Sequence, residues 1–599
     1  MFKSNVLLFN VFLFFNLALN AQMTKLTNNP SNSVKVVNNP IISKLGVCDP
    51  HIRIFNNKAY LFASHDRAPN NDFYGMYDWW VWSSNDLVHW TMEFNLFPKD
   101  MWVGATNNAW AVDGATRNGK YYFYVSGNWR TGVAVSEKAE GPYKDALKKS
   151  FEGITYDPTI FIDDDANKTP YLITNGFPYK ITKLNDDMIS MAEAPRELTH
   201  DTAAWKGDGG FVHKRNGIYY LNGHGTVYST ATNIYGPYTY RGKYYKEWID
   251  HPMIFEWNNQ TFCAFGRGDV GRFFRKTHMT YVHYRKNGEI YADGVVGDSF
   301  IGVGQYDCSK KIEAEWYFAS SKGIDKNEIE KGWTVTNLIN NAYLYFQRIL
   351  NMAVNAKVEF YVASTAKGGI IEIRQDKVNG NLLGKVKVPV TGGLSIYKTV
   401  TTTLKNKAGL TNIYLVYKGG VGKTATIDWL TISSTGAIVQ PPKGEPIILA
   451  AGPNENTVAV SAYNQIEAED LICYNVLRTS DGKDNGVIRH ISNMKNTSYS
   501  SYMIDFGSGE NKPLNFQARL SSVKQGQIEI RLDSIAGKLI GTLDYGVTGT
   551  NQSEFFTKEC KVIAPAGIKH VFLVYKMDKE VKYHNSAASI NLNWIKFVK

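Results

Sequence analysis

The feature that most constrains the fold is a short phrase that recurs five times between residues 40 and 300. Each copy is a polar turn containing Asn, followed by a run of aromatic and aliphatic residues of the kind that form strands. A turn of this type joins two antiparallel strands. The five copies read NNKAYLF (56–62), RNGKYYFY (117–124), ANKTPYLI (166–173), RNGIYYL (215–221) and NNQTFCAF (258–265).

A polar anchor residue precedes each copy, and the five anchors are Asp49, Asp113, Asp157, Asp208 and His251. A period of roughly 40–50 residues with several strands per repeat is typical of a β-propeller. The sequence therefore predicts an all-β chain whose residues 35–305 form a five-bladed β-propeller.

Equivalent anchors in a propeller face the central axis near one end, so four carboxylates and a His are expected to converge there. Proteins avoid such a concentration of like charges unless the site is functional. Cleavage of a glycosidic bond needs two carboxyl groups in different protonation states: one protonates the leaving oxygen, and the other activates water or attacks. The anchors therefore indicate a glycosidase site.

Six segments, in this order along the chain, resemble glycoside hydrolase family 43. The resemblance covers most of residues 38–305. It implies a five-bladed propeller that acts with inversion, mostly as a β-xylosidase, an α-L-arabinofuranosidase or an arabinanase. The segments are DPHIRIFNNKAYLFASHD (49–66), SSNDLVHWT (83–91), GVAVSEKAEGPYKD (132–145), YDPTIFIDDD (156–165), VHKRNGIYYL (212–221) and FRKTHMTYVHYRKNGEI (274–290).

The same resemblance implies roles for single residues. Asp49 is the expected general base, and Asp157 is the residue that tunes the acid and holds the sugar. His251 is the expected axial histidine near a bound water or calcium, and Arg275 lines the sugar subsite. The family's general acid is a Glu, but this chain has Gly207-Asp208-Gly209-Gly210 at that place. Asp208 is therefore the candidate acid, on a side chain one methylene shorter.

The shorter acid leaves two functions open. If the flanking glycines let the backbone advance, Asp208 protonates the leaving oxygen. Otherwise the propeller is weakened and the chain binds glycans without turnover. Aromatic residues make up 13% of the chain, which suits both strands and sugar-stacking surfaces. Trp80 and Trp110 are the candidate sugar contacts near the anchors.

From about residue 310 two related segments follow each other, which indicates a duplication. KIEAEWYF and TIDWLTI open and close the first segment (311–433), and QIEAEDLI and NLNWIKF do so in the second (465–597). Two β-sandwiches are predicted, over 310–435 and 461–599, with a linker over 436–460 that is rich in Pro and Gly.

Both segments resemble carbohydrate-binding module family 6. This resemblance implies a structural calcium in each module, and sugar contacts by Tyr397 and Phe556 at the place of the family's Trp. Sugar binding and a scaffolding role against the propeller both stay open. The implied calcium ligands are Glu313, Glu315 and Asp428 in the first module, then Glu467, Glu469 and Asn593 in the second.

The N-terminus predicts the compartment. Lys3 is followed by an apolar run of the length found in secretion signals, so residues 1–21 are predicted to be a signal peptide and the protein to be periplasmic or secreted. No later apolar stretch is long enough for a membrane span. The net charge of +11 comes from scattered residues without a nucleic-acid motif, so no nucleic acid is expected, although an anionic polysaccharide stays an option.

The predicted function is an exported inverting glycosidase that removes a terminal pentose, β-xylose or α-L-arabinofuranose, from a plant or algal polysaccharide or its oligosaccharides. Catalysis is expected to need no cofactor. The alternatives are a multivalent glycan-binding protein without turnover, and a glycosidase of the same fold that acts on another sugar such as galactose.

Overall fold

The computed structural model describes residues 39–598, except 43–44, 67–72, 176–178, 202–207, 224, 246–247, 294–302, 366–367, 420–424, 437–458, 472, 476, 485, 493, 495, 509–512, 564 and 578–589. The predicted signal peptide and most of the predicted linker lie outside the described residues. The described residues contain no α-helix, only two 3-10 turns at Pro98–Asp100 and Ala314–Trp316. In this described part, no helix has the length and apolar character needed to cross a membrane.

Residues 46–292 form five four-stranded antiparallel sheets, each built from consecutive strands. The first two sheets are β1 (Gly46–Phe55), β2 (Lys58–Asp66), β3 (Met76–Ser84) and β4 (Thr91–Leu96), then β5 (Ala109–Arg117), β6 (Lys120–Gly127), β7 (Arg130–Ser136) and β8 (Lys144–Asp145). The third is β9 (Thr159–Ile162), β10 (Pro170–Thr174), β11 (Lys180–Lys183) and β12 (Arg196–Glu197). The last two are β13 (Phe211–Arg215), β14 (Ile218–Asn222), β15 (Val227–Ala231) and β16 (Thr239–Lys243), then β17 (Asp250–Trp257), β18 (Gln260–Gly271), β19 (Phe274–Tyr284) and β20 (Ile290–Ala292).

The five sheets are the blades of a propeller. Their first strands contact each other in sequence, β1 with β5, β5 with β9, β9 with β13 and β13 with β17, and β17 contacts β1 so that the ring closes. The predicted five-bladed propeller is confirmed.

The recurring Asn turns connect the first and second strands of the blades. Asn118 and Gly119, for example, have φ values of 52° and 77°, the left-handed pair found in two-residue hairpin turns. Because neighbouring strands are antiparallel, the start of the first strand and the turn between the second and third strands lie at the opposite end of each blade. We call that end of the propeller the mouth.

The C-terminal half consists of two β-sandwiches, each made of two six-stranded sheets with the same strand order. The predicted duplication is therefore present in the structure. The first module comprises β21 (Tyr306–Asp307), β22 (Ile312–Glu313), β23 (Ala319–Ser320), β24 (Asp325–Ile329), β25 (Gly332–Leu338), β26 (Tyr343–Met352), β27 (Lys357–Ser364), β28 (Gly369–Gln375), β29 (Leu382–Val388), β30 (Gly393–Thr403), β31 (Gly409–Gly419) and β32 (Ala425–Ile432). The second comprises β33 (Val460–Ser461), β34 (Ile466–Glu467), β35 (Cys473–Asn475), β36 (Arg478–Lys483), β37 (Val487–Ser492), β38 (Tyr499–Asp505), β39 (Pro513–Ser522), β40 (Gly526–Leu532), β41 (Leu539–Asp544), β42 (Phe556–Ile563), β43 (Ile568–Met577) and β44 (Ile590–Val598).

Both modules pack on the propeller, at different places. The first packs on the fifth blade, where the rings of Trp257 and Phe318 meet edge to face with centroids 5.4 Å apart. The second packs at the mouth end of the first two blades, where the Thr479 amide donates to the Ala105 carbonyl at 3.2 Å and Tyr77 and Ala105 share the module's apolar core.

Candidate active site

Three of the anchor residues are presented at the mouth by the same local backbone geometry. Asp49, Asp157 and His251 each precede a proline and have φ values of 47°, 51° and 42°. In the first and fifth blades a bulge falls at this point and interrupts the pairing with the second strand. Left-handed backbone is rare for residues other than glycine and is concentrated at functional sites. The strained backbone of this fold thus coincides with the residues whose side chains lie at the mouth.

A continuous network connects the carboxyl groups at the mouth. His251 Nδ1 lies 3.2 Å from Asp49 Oδ1, and His251 Nε2 lies 3.3 Å from Asp157 Oδ2. Asn175 Nδ2 donates to Asp157 Oδ2 at 2.6 Å and to Asp208 Oδ1 at 3.1 Å. The Tyr156 hydroxyl also donates to Asp208 Oδ1, at 2.9 Å. The structure therefore brings together Asp49, Asp157, Asp208 and His251, while their chemical roles stay predictions.

Asp113 does not join this network, so the expectation of five converging anchors was wrong. The bulge of the second blade falls between Trp110 and Val112, and Asp113 lies deeper in β5. It accepts hydrogen bonds from Arg53 Nε at 2.9 Å and from the Ile160 amide at 2.7 Å. Asp113 thus ties the first three blades together. The spacing of sequence motifs does not reveal where a bulge shifts a strand by a residue or two.

Arg275 lies directly against Asp49, while its implied place in the lining of the sugar subsite stays a prediction. It is buried, and its Nη1 lies 2.6 Å from both Asp49 Oδ1 and Asp250 Oδ2. Its Nε donates to Asp66 Oδ2 at 3.0 Å. Asp49, which is only 1% exposed, also accepts a hydrogen bond from the Ser64 hydroxyl. Arg275 is therefore a positioning residue that fixes the orientation of Asp49.

Burial and neighbouring charges shift the pKa values of the central residues. Burial raises the pKa of Asp157 to about 6, although the hydrogen bond from His251 opposes the shift. Burial alone would lower the pKa of His251, but the carboxylates of Asp49 and Asp250 raise it well above its usual value. His251 is thus a buried cation beside the carboxyl groups of Asp49, Asp157 and Asp250.

The two tryptophans predicted to contact sugar lie in different environments. Trp110 is half-buried at the mouth, and its ring centroid is 5.9 Å from that of Tyr156. Trp80 is only 4% exposed, stacks on His65 and donates from Nε1 to Asp78 Oδ2 at 2.8 Å. Trp80 is part of the core, so its assignment as a sugar contact was wrong. Side chains alternate along a strand, so Trp80 and Trp82 face the same way, but the alternation does not show which surface they face.

Comparison with known proteins gives the family. The model described as "Glycosyl hydrolases family 43" matches residues 37–223, and the one described as "Carbohydrate binding module (family 6)" matches residues 313–434 and 467–599. The propeller belongs to glycosyl hydrolase family 43. The two sandwiches belong to carbohydrate-binding module family 6, and the chain is a glycoside hydrolase.

Three curated relatives illustrate the similarity. An arabinoxylan arabinofuranohydrolase of Paenibacillus polymyxa is 26% identical, over 92% of this chain and 93% of the relative. A protein of the same name from Bacillus subtilis (strain 168) is 25% identical, over 65% of this chain and 91% of the relative. Xylosidase/arabinosidase 43A of Humicola insolens is 28% identical, over 42% of this chain and 98% of the relative.

The segment that departs from the family 43 pattern lies tightly against its surroundings. A Cβ atom on Gly209 would lie 2.8 Å from His251 Cδ2, and one on Gly210 would lie 2.5 Å from Tyr179 Cε1. Gly209 also has a φ of 74°. Only glycines allow this close approach of backbone to the two rings. The glycines therefore bring the backbone that carries Asp208 up against His251, which suits a shorter acidic side chain.

Sequence reasoning missed several residues of the site. Asn175, Asp66 and Asp250 connect the network, yet each is a single polar residue beside a strand end and has no motif of its own. Tyr156 was visible only as the neighbour of Asp157. One signal was available: the polar residues that end a second strand or begin a third strand lie at the same mouth as the anchors.

Replacing Tyr156 by Phe is expected to lower kcat about tenfold, because one hydrogen bond to the ionisable Asp208 is lost while the ring stays in place. The melting temperature should change little. Steady-state kinetics on an arabinoxylan oligosaccharide, with a melting curve of each variant, measure both quantities. An unchanged kcat would show that the hydroxyl does not orient Asp208.

The group around His251 does not suit calcium. Asp49, Asp250 and His251 present donor atoms within 4.8 Å of one another. However, Arg275 and the His251 imidazole already neutralise both carboxylates at hydrogen-bond distance, and calcium prefers oxygen ligands to imidazole. The expectation of a calcium at this position does not fit the residues, and no catalytic step is assigned to one.

The implied calcium site of the first module does fit a cation. Glu315 is 3% exposed, and its Oε2 has no hydrogen-bond partner among the described residues. Burial, with Glu313 beside it, raises the pKa of Asp428 to about 6, and burial also raises the pKa of Glu313. The cluster offers the carboxylate oxygens that calcium prefers, although Lys311 Nζ lies 2.5 Å from Glu313 Oε1 and compensates that charge in part. If calcium is bound, Glu313, Glu315 and Asp428 would hold it.

The second module is less suited to calcium. Asn593 takes the place of Asp428 and donates from Nδ2 to Asp484 Oδ2 at 3.0 Å. Arg519 pairs with the same carboxylate, at 2.6 Å and 2.8 Å. Glu469 Oε2 is buried without a partner among the described residues, and Glu467 accepts a hydrogen bond from Gln465. The implied ligand set thus has one carboxylate fewer, and the Asp484 carboxylate beside Asn593 is already paired with a guanidinium.

We therefore expect one calcium per chain, bound by the first module. Calcium at about 100 times its dissociation constant would stabilise that module by about 2.7 kcal/mol, which is a shift of several degrees in its melting transition. Asp428→Asn should abolish the shift, and Glu467→Gln should not. Calorimetric scans with calcium or with EDTA test this, and an unchanged shift in Asp428→Asn would contradict it.

The two rings predicted to contact sugar in the modules differ in how accessible they are, and their binding of sugar stays a prediction. The Tyr397 ring stacks on Tyr361 with centroids 5.0 Å apart, and its hydroxyl donates to Thr334 at 3.1 Å. Phe556 lies on the edge strand β42 and is 49% exposed. Phe556 therefore has an accessible ring surface, whereas Tyr397 has one face covered.

Proposed function

We propose that this glycoside hydrolase removes terminal α-L-arabinofuranose from arabinoxylan or its oligosaccharides, with inversion. The observation that carries the proposal is the network that joins Asp49, Asp157 and Asp208 at the mouth. Two relatives that align over more than nine-tenths of their own length are named arabinoxylan arabinofuranohydrolases. The xylosidase/arabinosidase relative favours β-xylose as the second candidate sugar.

The proposed mechanism uses the two ends of the network. Asp49 takes a proton from a water molecule whose oxygen attacks the anomeric carbon, while Asp208 gives its proton to the departing oxygen as the glycosidic bond breaks. Asp49 and Asp208 are connected through His251, Asp157 and Asn175, which keeps them apart. An inverting enzyme needs such a separation, roughly 6.5–9.5 Å between the carboxyl groups, to admit the water.

Asp157 and His251 lie between the proposed base and the proposed acid. Asp157 accepts from Asn175 and His251 and lies between the base and the acid, so its charge acts on both. Because the pKa of Asp157 is raised to about 6, it changes its charge state in mildly acidic solution. This supports the modulating role that the family resemblance implies for Asp157.

Export and glycan attachment complete the proposal. The apolar run after Lys3 supports a periplasmic or secreted location, where a polysaccharide is accessible. The two modules support binding to the same polysaccharide, with Phe556 as the more accessible of the two predicted ring contacts.

A panel of nitrophenyl glycosides tests the sugar. We expect release from the α-L-arabinofuranoside to exceed release from the β-xyloside, and the β-galactoside to be resistant. Arabinose released from arabinoxylan, measured by chromatography, is the companion assay. Turnover of the galactoside alone would contradict the proposed substrate.

A further inference from the structure

Trp129 is an exposed aromatic residue at the mouth that the proposed mechanism does not use. It is 58% exposed, although large aromatic side chains usually bury most of their surface. It lies in the turn between β6 and β7, which are the second and third strands of the second blade. That turn is at the same end of the propeller as Asp49 and Asp157.

The backbone at Trp129 is strained. Asn128 and Trp129 have φ values of 48° and 68°, the left-handed pair of a two-residue hairpin turn. Among the described residues, four other turns have the same pair, and their second residue is Gly119, Gly217, Asn57 or Asn259. Glycine and asparagine tolerate this conformation, whereas a bulky residue does so only at a cost. A tryptophan that is both strained and exposed contributes little to the stability of the fold, which points to a role in binding.

Trp129 also lies next to the candidate acid. Its ring meets those of Trp110 and Tyr156 edge to face, with centroids 4.5 Å and 4.9 Å apart. Tyr156 donates its hydroxyl hydrogen to Asp208. Asn175 donates to the same oxygen of Asp208 and also to Asp157, so the contacts that lead to Asp49 run through Asn175, while the three rings border Asp208 through Tyr156.

The side of the acid determines which sugar a neighbouring residue meets. The acid protonates the oxygen that joins the cleaved sugar to the rest of the substrate. Groups that border the acid at the mouth therefore border the place of the leaving group. In the proposed substrate the leaving group is a xylose unit of the main chain, whose ring carries no hydroxymethyl group and has a flat apolar face.

We propose that Trp129 is a specificity-determining residue that stacks on a main-chain xylose unit on the leaving-group side of the cleaved bond. The inference rests on the proposed function and deepens it. Trp110 and Tyr156 support the indole from its edges, and the exposed part of the indole is the contact surface. Trp129 thus selects a xylan chain and leaves recognition of the terminal pentose to the residues around Asp49.

The test compares two substrates with two variants. Trp129→Ala is expected to lower kcat/KM on an arabinoxylan oligosaccharide about tenfold, mainly through KM, since loss of a well-placed aromatic contact commonly weakens binding by that factor. Activity on methyl α-L-arabinofuranoside, whose leaving group has no ring, should stay within about twofold. Trp129→Phe should retain most of the activity on the oligosaccharide. Tyr240→Ala removes a partly exposed ring on the outermost strand β16 and should affect neither substrate.

A third variant separates binding from structure. Trp129→Gly removes the same ring as Trp129→Ala but relieves the left-handed strain. The two variants should lose activity on the oligosaccharide equally, while Trp129→Gly melts at the higher temperature. A purely structural tryptophan would instead give activities that follow the melting temperatures.

The outcomes distinguish this inference from the proposed function. Equal losses on both substrates, or no loss on either, would overturn the role of Trp129. If the wild-type protein cleaves neither substrate, the proposed function fails. Calorimetric titration with xylotetraose then still decides the inference, because sites on the modules are unaffected by Trp129: loss of one of the wild type's binding sites in Trp129→Ala supports it, and an unchanged number of sites overturns it.

Discussion

Replacing Asp49 by Asn is expected to reduce turnover by a factor of about 10²–10⁴, the usual contribution of a general base. The amide has the shape of the carboxylate but cannot take a proton from water. Arg275 keeps Asp66 and Asp250 as ionic partners in this variant, so the buried guanidinium is not left alone. The melting temperature should therefore change by only a few degrees.

Asp113→Asn is the matched control for Asp49→Asn. Asp113 is as deeply buried as Asp49 and also pairs with an arginine, but it lies outside the network at the mouth. Its replacement should lower the free energy of unfolding by about 2 kcal/mol, the value of a hydrogen bond to a charged group, and leave kcat nearly unchanged. Residual activity above about 1% in Asp49→Asn would remove Asp49 from the role of base.

The loss in Asp208→Ala is expected to depend on the leaving group. A xylan chain is a poor leaving group that needs a proton, so turnover of arabinoxylan should fall by a factor of about 10²–10⁴. Nitrophenol leaves without protonation, so the aryl arabinofuranoside should lose far less. Initial rates on the two substrates measure the difference, and equal losses on both would make Asp208 a positioning residue.

Asp208→Glu tests whether the family's longer acid can be restored. If reach limits the wild-type protein, this variant should retain or increase activity on arabinoxylan. The close contacts of Gly209 with His251 and of Gly210 with Tyr179 point the other way. Because they already bring the backbone forward, we expect the extra methylene to reduce activity. A clear gain would show that the backbone has not compensated for the shorter side chain.

The fold could be predicted because its signals are local and repeated. Asn turns at regular intervals, each followed by a β-type run, define hairpins without any knowledge of distant contacts. The duplicated modules were visible in the same way, through matching openings such as those around Glu313 and Glu467. Repetition lets one weak signal be checked against its other copies.

The site could be predicted only in part. The positions of its other residues depend on the register of the strands and on contacts between blades, which the sequence does not show. Asp49, Asp157 and His251 are followed by proline and stand out in the sequence, whereas Asp113 was misplaced by a bulge. Arg275 was found through the family resemblance, but its position behind Asp49 depends on Asp66 and Asp250, each in a different strand. Trp129 carries a local signal, a tryptophan at the glycine position of a hairpin turn, that becomes informative only beside the other turns of the chain.

The most direct test of the central claim is the configuration of the first sugar released. Proton NMR of an arabinoxylan oligosaccharide, recorded within the first minutes after adding enzyme, follows the anomeric signals before mutarotation mixes them. The network from Asp49 to Asp208 predicts that β-L-arabinofuranose appears first, from an α-linked substrate. Initial release of the α-anomer would contradict the mechanism, and the absence of any released arabinose would contradict the proposed function.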